Sequence, residues 1–324
     1  MRIIVYMPFV ISLLLGPAIS HLGRRLAPAT ATRLLVAGGV VGAGSSAFAL
    51  ICLAWTYVGQ IPVVADVGDW SVRLLQADDP VPTPIAMFAL AILAVVSVCA
   101  LTTAVTHGLA LRRAARACRE MSGGPDGLVV VDDPVPQAYA VPGRRTGGGR
   151  IVVTTAMLRT LNVAERRILI AHERAHLRDR HHLYRAAAAV TAALNPLLRA
   201  LPTAVEYTTE RWADERAASD AGDRRTTARA ITRAALAATR PSHSAAPALG
   251  FGHGDVPTRV AHLLAAPPRR RPLTSAVLIV TMAACLAAAN EARADTESLF
   301  EKAYPSAATA VTAAPHPQTI SGTS

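Results

Sequence analysis

Four apolar runs separated by polar stretches set the plan of the chain. Residues 3–19 form the first, interrupted by Pro8, Gly16 and Pro17 but free of charge. Residues 34–58 form the second, long enough to cross ~30 Å of hydrocarbon at ~1.5 Å per residue. Within it, Gly38 and Gly42 offer a small-x-x-x-small pair for close helix contact. The third, 85–111, ends at Arg112, Arg113, Arg116 and Arg119, and the fourth, 273–289, follows the run from Pro268 to Pro272. All four are expected to be transmembrane helices. Arg24 and Arg25 come directly after the first run, which argues for a helix there rather than a cleaved signal peptide.

Between the third and fourth runs, residues 112–272 change character. Leu128–Val131 is a β-branched run closed by Asp132, Asp133 and Pro134, residues 137–143 read as a second strand and turn, and Arg150–Thr154 as a third. The period then shifts to helical. Thr160-Leu161-Asn162 can supply a cap, and 163–180 carries Ile168, Ala171 and Ala175 at helical spacing. Residues 183–201 are apolar, but Asn195, Pro196 and Arg199 interrupt them. The stretch 186–194 would cover only about 14 Å as a helix, so it is expected to be buried in a domain rather than to span a bilayer. The expected fold class is α+β: a mainly helical integral membrane protein, with a small sheet plus helices inserted between the third and fourth transmembrane helices. The expected domains are 1–111, 112–272, the single span 273–289, and a disordered tail over 290–324, rich in Ala, Thr, Ser and Pro.

Composition agrees with membrane segments. Hydrophobic residues make up 52% and charged ones only 17%, with a mean hydropathy of +0.32, too apolar for an ordinary soluble enzyme. Lys302 is the only lysine among abundant arginines, and this bias toward Arg and Ala inflates the apolar look of Ala-rich runs. The net charge is +11, yet aromatics are only 4% and no basic stripe interleaves with them, so direct nucleic-acid binding is not expected. The charge instead flanks the apolar runs. Segments at 24–33, 112–119 and 269–271 are basic, whereas 60–84 holds Asp66, Asp69, Asp78 and Asp79 against Arg73. The positive-inside rule then places the N-terminus outside, 60–84 outside, 112–272 in the cytoplasm and the C-terminal tail outside. Cys52, Cys99, Cys118 and Cys285 are scattered without a C-x-x-C pair, so neither a disulfide framework nor a thiolate zinc site is indicated.

The chemistry concentrates at His172-Glu173-Arg174-Ala175-His176. On a helix the two histidines lie one turn apart on one face, able to grip one Zn²⁺, with Glu173 beside them to act on water. A catalytic zinc site needs a third protein ligand and an open position. Glu210 is the candidate. Asp214, four residues on, shares its helical face and can accept the second N–H of a ligating histidine. The competing reading of 210–214 is an exposed charged helix. By helical position, His181 and His182 point away from the His172/His176 face and are expected at the surface.

These residues resemble the BlaR/MecR-type membrane metallopeptidases and, more broadly, the zinc peptidases that include HtpX and the CAAX prenyl proteases. The resemblance rests on Ala138-Tyr139-Ala140-Val141-Pro142-Gly143, the His172–His176 motif and Glu210-Arg211-Trp212-Ala213-Asp214. It implies a zincin-type protease domain holding one Zn²⁺ per chain on His172, His176 and Glu210, with Glu173 catalytic. It also implies that Ala138, Tyr139 and Ala140 form an edge strand against which an extended peptide binds. A fainter match, 253–259, implies that His253 and Arg259 lie near the scissile carbonyl, although Gly254 stands where the family has Pro. No Ser-x-x-Lys segment of a penicillin-binding sensor follows the last run. The expected activity is membrane-bound, zinc-dependent endopeptidase action on a cytoplasmic or membrane protein, such as a transcriptional repressor in a signalling pathway. The alternatives are HtpX-like quality control of membrane proteins and a non-catalytic membrane scaffold. Residues 144–150 and 240–250 are exposed candidates for autocleavage.

Overall fold

Apolar helix formers dominate the first part of the chain, and helices α1 (Met7–Arg25) and α2 (Pro28–Val58) fill it after a 3₁₀ turn at Ile3–Tyr6. Two short helices follow, α3 (Pro62–Gly68) and α4 (Val72–Asp78), and then the long α5 (Thr83–Glu120). The strands are β1 (Leu128–Val131), β2 (Ala138–Val141) and β3 (Arg150–Thr154). Helices α6 (Thr155–Thr160), α7 (Val163–Arg178), α8 (His181–Leu194), α9 (Leu201–Ala221), α10 (Arg224–Ala238), α11 (Val256–Leu264) and α12 (Pro272–Ala303) complete the order. This computed structural model describes residues 3–143, 148–238, 256–267 and 271–304. Four helices, Ile4–Arg25, Pro28–Val58, Thr83–Glu120 and Pro272–Ala303, are long and apolar enough to cross a membrane, which points to a multi-pass membrane protein.

Several helices overrun the bounds that hydropathy set. The first continues past residue 19 to Arg25, the third past 111 to Glu120, and 60–84 contains α3 and α4 rather than only loop. Hydropathy measures the length that matches hydrocarbon, whereas Arg, Glu and Ala continue a helix as readily as Leu does. The expectation of a disordered tail from 290 is corrected in the same way: α12 runs to Ala303. Its last turns are held by packing, since Leu299 and Ala303 bury against Leu75 with Trp70 and Phe300 around them. The Ser71 backbone N–H also donates to the Ala303 carbonyl at 2.9 Å. Residues 305–324 and the linker 240–250 lie outside the described residues.

The chain divides into two compact units, one of 3–8, 45–95 and 285–304 among the described residues, the other of 9–44 and 96–284. The first has its core at the cluster around Leu75, where the Trp70 indole N–H donates to the Gly59 carbonyl at 2.9 Å.

The second unit carries the small sheet, in the order β1-β3-β2. β1 and β3 are parallel and β2 and β3 antiparallel, with Ala140 opposite Ile151. β2 is therefore an edge. Ala138, Ile151 and Val153 bury one face of the sheet against Met157, Leu161 and Leu169. On the other face Val141 and Val152 pack with Cys118 of α5. Ile19, Leu35 and Ala43 of α1 and α2 form a further core with Ala188, Leu198, Leu201 and Val205. The fit there is tight: a Cβ on Gly16 would stand 2.4 Å from the Leu197 carbonyl oxygen. Buried polar contacts fix the register, with Asn195 Nδ2 donating to Ser12 Oγ at 3.0 Å and Thr32 Oγ1 to Thr208 Oγ1 at 2.9 Å.

Candidate metal centre

Helix α7 starts where its sequence dictates. The Asn162 side chain accepts from the Glu165 N–H at 2.9 Å, and the Glu165 carboxylate accepts from the Asn162 N–H at 3.0 Å, a reciprocal capping box. Arg233 of α10 holds the same carboxylate at 2.9 Å. With its start pinned, α7 turns His172 and Glu173 into the interior and leaves His176 partly exposed at the edge of a cleft. Helix α9 crosses it and presents Glu210 and Asp214, both buried, from one face.

Two imidazole nitrogens and a carboxylate converge. His172 Nε2 and His176 Nε2 are 3.2 Å apart, Glu210 Oε2 is 3.5 Å from the first, and Glu210 Oε1 is 3.4 Å from the second. A tetrahedral ion with ligand bonds of about 2.1 Å needs its ligand atoms about 3.4 Å apart. The residues fit that requirement, and two imidazoles with one carboxylate form a donor set suited to zinc. His172 Nδ1 lies 3.0 Å from Asp214 Oδ1, so Nδ1 carries a hydrogen in either charge state of the ring and Nε2 faces the centre. Asp214 is held in turn by Arg259 of α11, through Nε to Oδ2 at 2.7 Å and Nη2 to Oδ1 at 2.6 Å, while Arg259 Nη1 reaches Glu210 Oε2 at 2.9 Å.

The charge states follow from these partners. Burial opposes ionisation of Glu210, but Arg259 and the two histidines hold its carboxyl well below the usual carboxylate range. Burial likewise opposes a charge on Asp214, and Arg259 outweighs it. His172 is pushed up to about 10, because Asp214 and Glu210 overcome the burial that works against its charge. Burial keeps His176 neutral. Glu173 is raised to about 7, chiefly by burial and despite the His172 charge beside it.

The structure places the remaining sequence-derived residues less uniformly. Ala138 is buried in the sheet core, and Tyr139 turns to the opposite face, toward the end of α5. Ala140 lines the narrow cleft with Glu173 and His176. Arg259 does not stand free beside a substrate: it is 1% exposed and occupied by Asp214 and Glu210, which makes it a positioning residue for the carboxylates. His253 lies outside the described residues.

His181 is also corrected. It is buried, its Nδ1 2.9 Å from His176 Nδ1 and its ring against Trp212. Helical spacing misplaced it because Arg180 takes a left-handed conformation, φ 53°, that ends α7 and restarts the chain as α8 in a new direction. Burial lowers the His181 pKa to about 3. A neutral His181 ring that accepts the hydrogen of His176 Nδ1 would leave Nε2 of His176 bare toward the centre. Sequence reasoning missed Arg185 altogether. It donates to Glu210 Oε1 at 2.6 Å and to Thr209 Oγ1 at 3.2 Å while lining the cleft. Its position thirteen residues after His172 carries no local signal.

A likeness to known proteins falls in this part of the chain. Residues 104–195 match the model of Peptidase family M48. The M48-matching segment runs from α5 through all three strands to the end of α8, and thus contains His172, Glu173, His176, His181 and Arg185 but not Glu210. M48 peptidases are zinc metallopeptidases, which agrees with the donor set. Neither curated proteins nor solved structures give a match to the chain.

Proposed function

We propose that this protein is a membrane-bound zinc endopeptidase that hydrolyses peptide bonds of a cytoplasmic or membrane protein. The observation that carries the reading is the spacing of His172, His176 and Glu210 at tetrahedral ligand distances, with Glu173 beside them on a cleft bordered by the edge strand β2. The M48 match over the same helix supports it.

Zinc held by these three residues would supply Lewis acidity toward a peptide carbonyl and make water a stronger acid. Glu173 takes the proton from water and delivers it to the departing amine, and its raised pKa suits both transfers. β2 offers its free edge to an extended peptide. Asp214 and His181 fix the imidazole orientations, and Arg185 and Arg259 hold the two oxygens of Glu210.

The distribution of basic flanks and the acidic 60–84 segment supports a cytoplasmic catalytic domain, with both chain ends outside the bilayer on the opposite side. The BlaR/MecR resemblance favours a transcriptional repressor as substrate, and HtpX-like quality control is the alternative. Replacement Glu173→Ala tests the core of the proposal. Purified variant should retain one zinc per chain and lose at least ~10²-fold in peptide hydrolysis. Unchanged hydrolysis would sink the assignment. Co-expression with candidate repressors, with and without the same substitution, separates signalling from general turnover.

A further inference from the structure

Next to the metal cleft lies a larger hollow, of about 580 Å³. Its walls are the last turns of α5, through Arg112, Arg116 and Arg119, and the end of β2, through Pro142 and Gly143, with His182 of α8 between them. The three arginines recur at i, i+4 and i+7 and so share one face of α5. Arg113 does not line the hollow.

None of the three has a carboxylate partner among the described residues. Six other arginines of the same unit do have such partners. Arg174 pairs with Asp126, Arg216 with Asp179, Arg224 with Glu215, Arg233 with Glu165, and Arg185 and Arg259 with the metal-site carboxylates. A concave site with three uncompensated guanidiniums attracts carboxylates, and its walls strengthen that attraction over a flat surface.

The hollow continues the metal cleft, since Pro142 and His182 line both. A peptide extended along β2 with its reacting bond beside Ala140 and Glu173 advances about 3.3 Å per residue. Pro142 and Gly143 lie two and three residues beyond Ala140, so such a peptide reaches the arginines within about 7–10 Å.

We infer that this hollow is a substrate subsite selecting acidic side chains two to four residues from the scissile bond. The inference rests on the peptidase reading and adds the substrate class to it. The rival occupant is an anionic lipid headgroup, because the apolar run of α5 ends at Leu111. The peptide is favoured by the β2 wall and by the continuity with the cleft.

The test uses the full chain with Glu173→Ala in nanodiscs of zwitterionic lipid, and fluorescent peptides identical except for a Glu-Glu, Ala-Ala or Lys-Lys block at that distance. Anisotropy titrations should show the Glu-Glu peptide binding about tenfold tighter than Ala-Ala, with the contrast fading at high salt. Combined replacement of Arg112, Arg116 and Arg119 by Glu should invert the order in favour of Lys-Lys, an inversion that misfolding cannot produce. Equal binding of the three peptides, or an order untouched by the replacement, overturns the subsite. So does a replacement that weakens binding to phosphatidylglycerol vesicles while the peptide order stays the same, which would assign the arginines to lipid. The two readings fail separately. If the zinc-loaded chain with Glu173 intact cleaves none of the peptides but still ranks them by charge, the peptidase reading falls and the hollow stands as a site for acidic peptides.

Discussion

Glu210 is held more firmly than a single ligand carboxylate requires. Arg185 binds one oxygen at 2.6 Å and Arg259 the other at 2.9 Å, so its rotamer is fixed before any ion arrives. Asp214 does the same for His172, and Asp214→Ala should weaken zinc binding about 10–100-fold, readable by competition with a fluorescent chelator. The same pair of carboxylates raises His172 to about 10 in the metal-free protein, so zinc must displace a proton there at neutral pH. Apparent zinc affinity should therefore rise about tenfold per pH unit between pH 6.5 and 8.5, with about one proton released on binding. The sign for the metal-free fold is opposite. Stability contributed by the charged His172 is complete below its unfolded pKa near 6.5 and is lost as pH rises toward 10. A flat zinc affinity over that window would show that His172 is not protonated without metal.

At the level of elements, legibility follows the range of the interactions that decide each feature. The three strands and the start of α7 were readable because β-branched runs, turn residues and the capping stretch 160–162 act over a few residues. Glu210 and Asp214 were readable by their own i, i+4 spacing. His181 was not, because one left-handed residue at Arg180 redirects the chain; Arg185 was missed and Arg259 was named for a different role, because their partners lie 25 and 45 residues away. Close packing of elements is equally silent in sequence. Gly38 and Gly42 drew notice in α2, yet a Cβ on Gly39 would stand 2.5 Å from Leu201 Cδ2 and one on Gly16 only 2.4 Å from a backbone oxygen. Gly16→Ala should therefore force α1 away from the turn at Leu197 and cost about 1–3 kcal/mol, seen as a lower thermal midpoint in detergent. A midpoint equal to that of the unaltered protein would contradict the tight contact.

For the molecule as a whole, hydropathy located the four membrane-length helices but not their ends, which charged and small residues extend. Orientation is a separate matter that charge alone argues. Single cysteines placed at Asp69 and at Asp126, in a background where Cys52, Cys99, Cys118 and Cys285 are replaced, test it directly. A membrane-impermeant maleimide added to intact cells should label position 69 and spare position 126 until the cells are opened. The reverse pattern would put the catalytic domain on the outer side.

Helix α9 joins these scales. Glu210 faces the metal centre, while its neighbour Arg211, 4% exposed, donates to the Gly23 and Arg24 carbonyls at the end of α1. Thr208, one turn earlier, bonds Thr32 at the start of α2. No loop lies between these contacts and the ligand to absorb a displacement. A genetic screen for chains that fold but lose their metal should therefore return substitutions at Gly23 and Thr32 alongside those in the ligands. Second-site changes in the first two helices should be able to restore a centre weakened at Asp214.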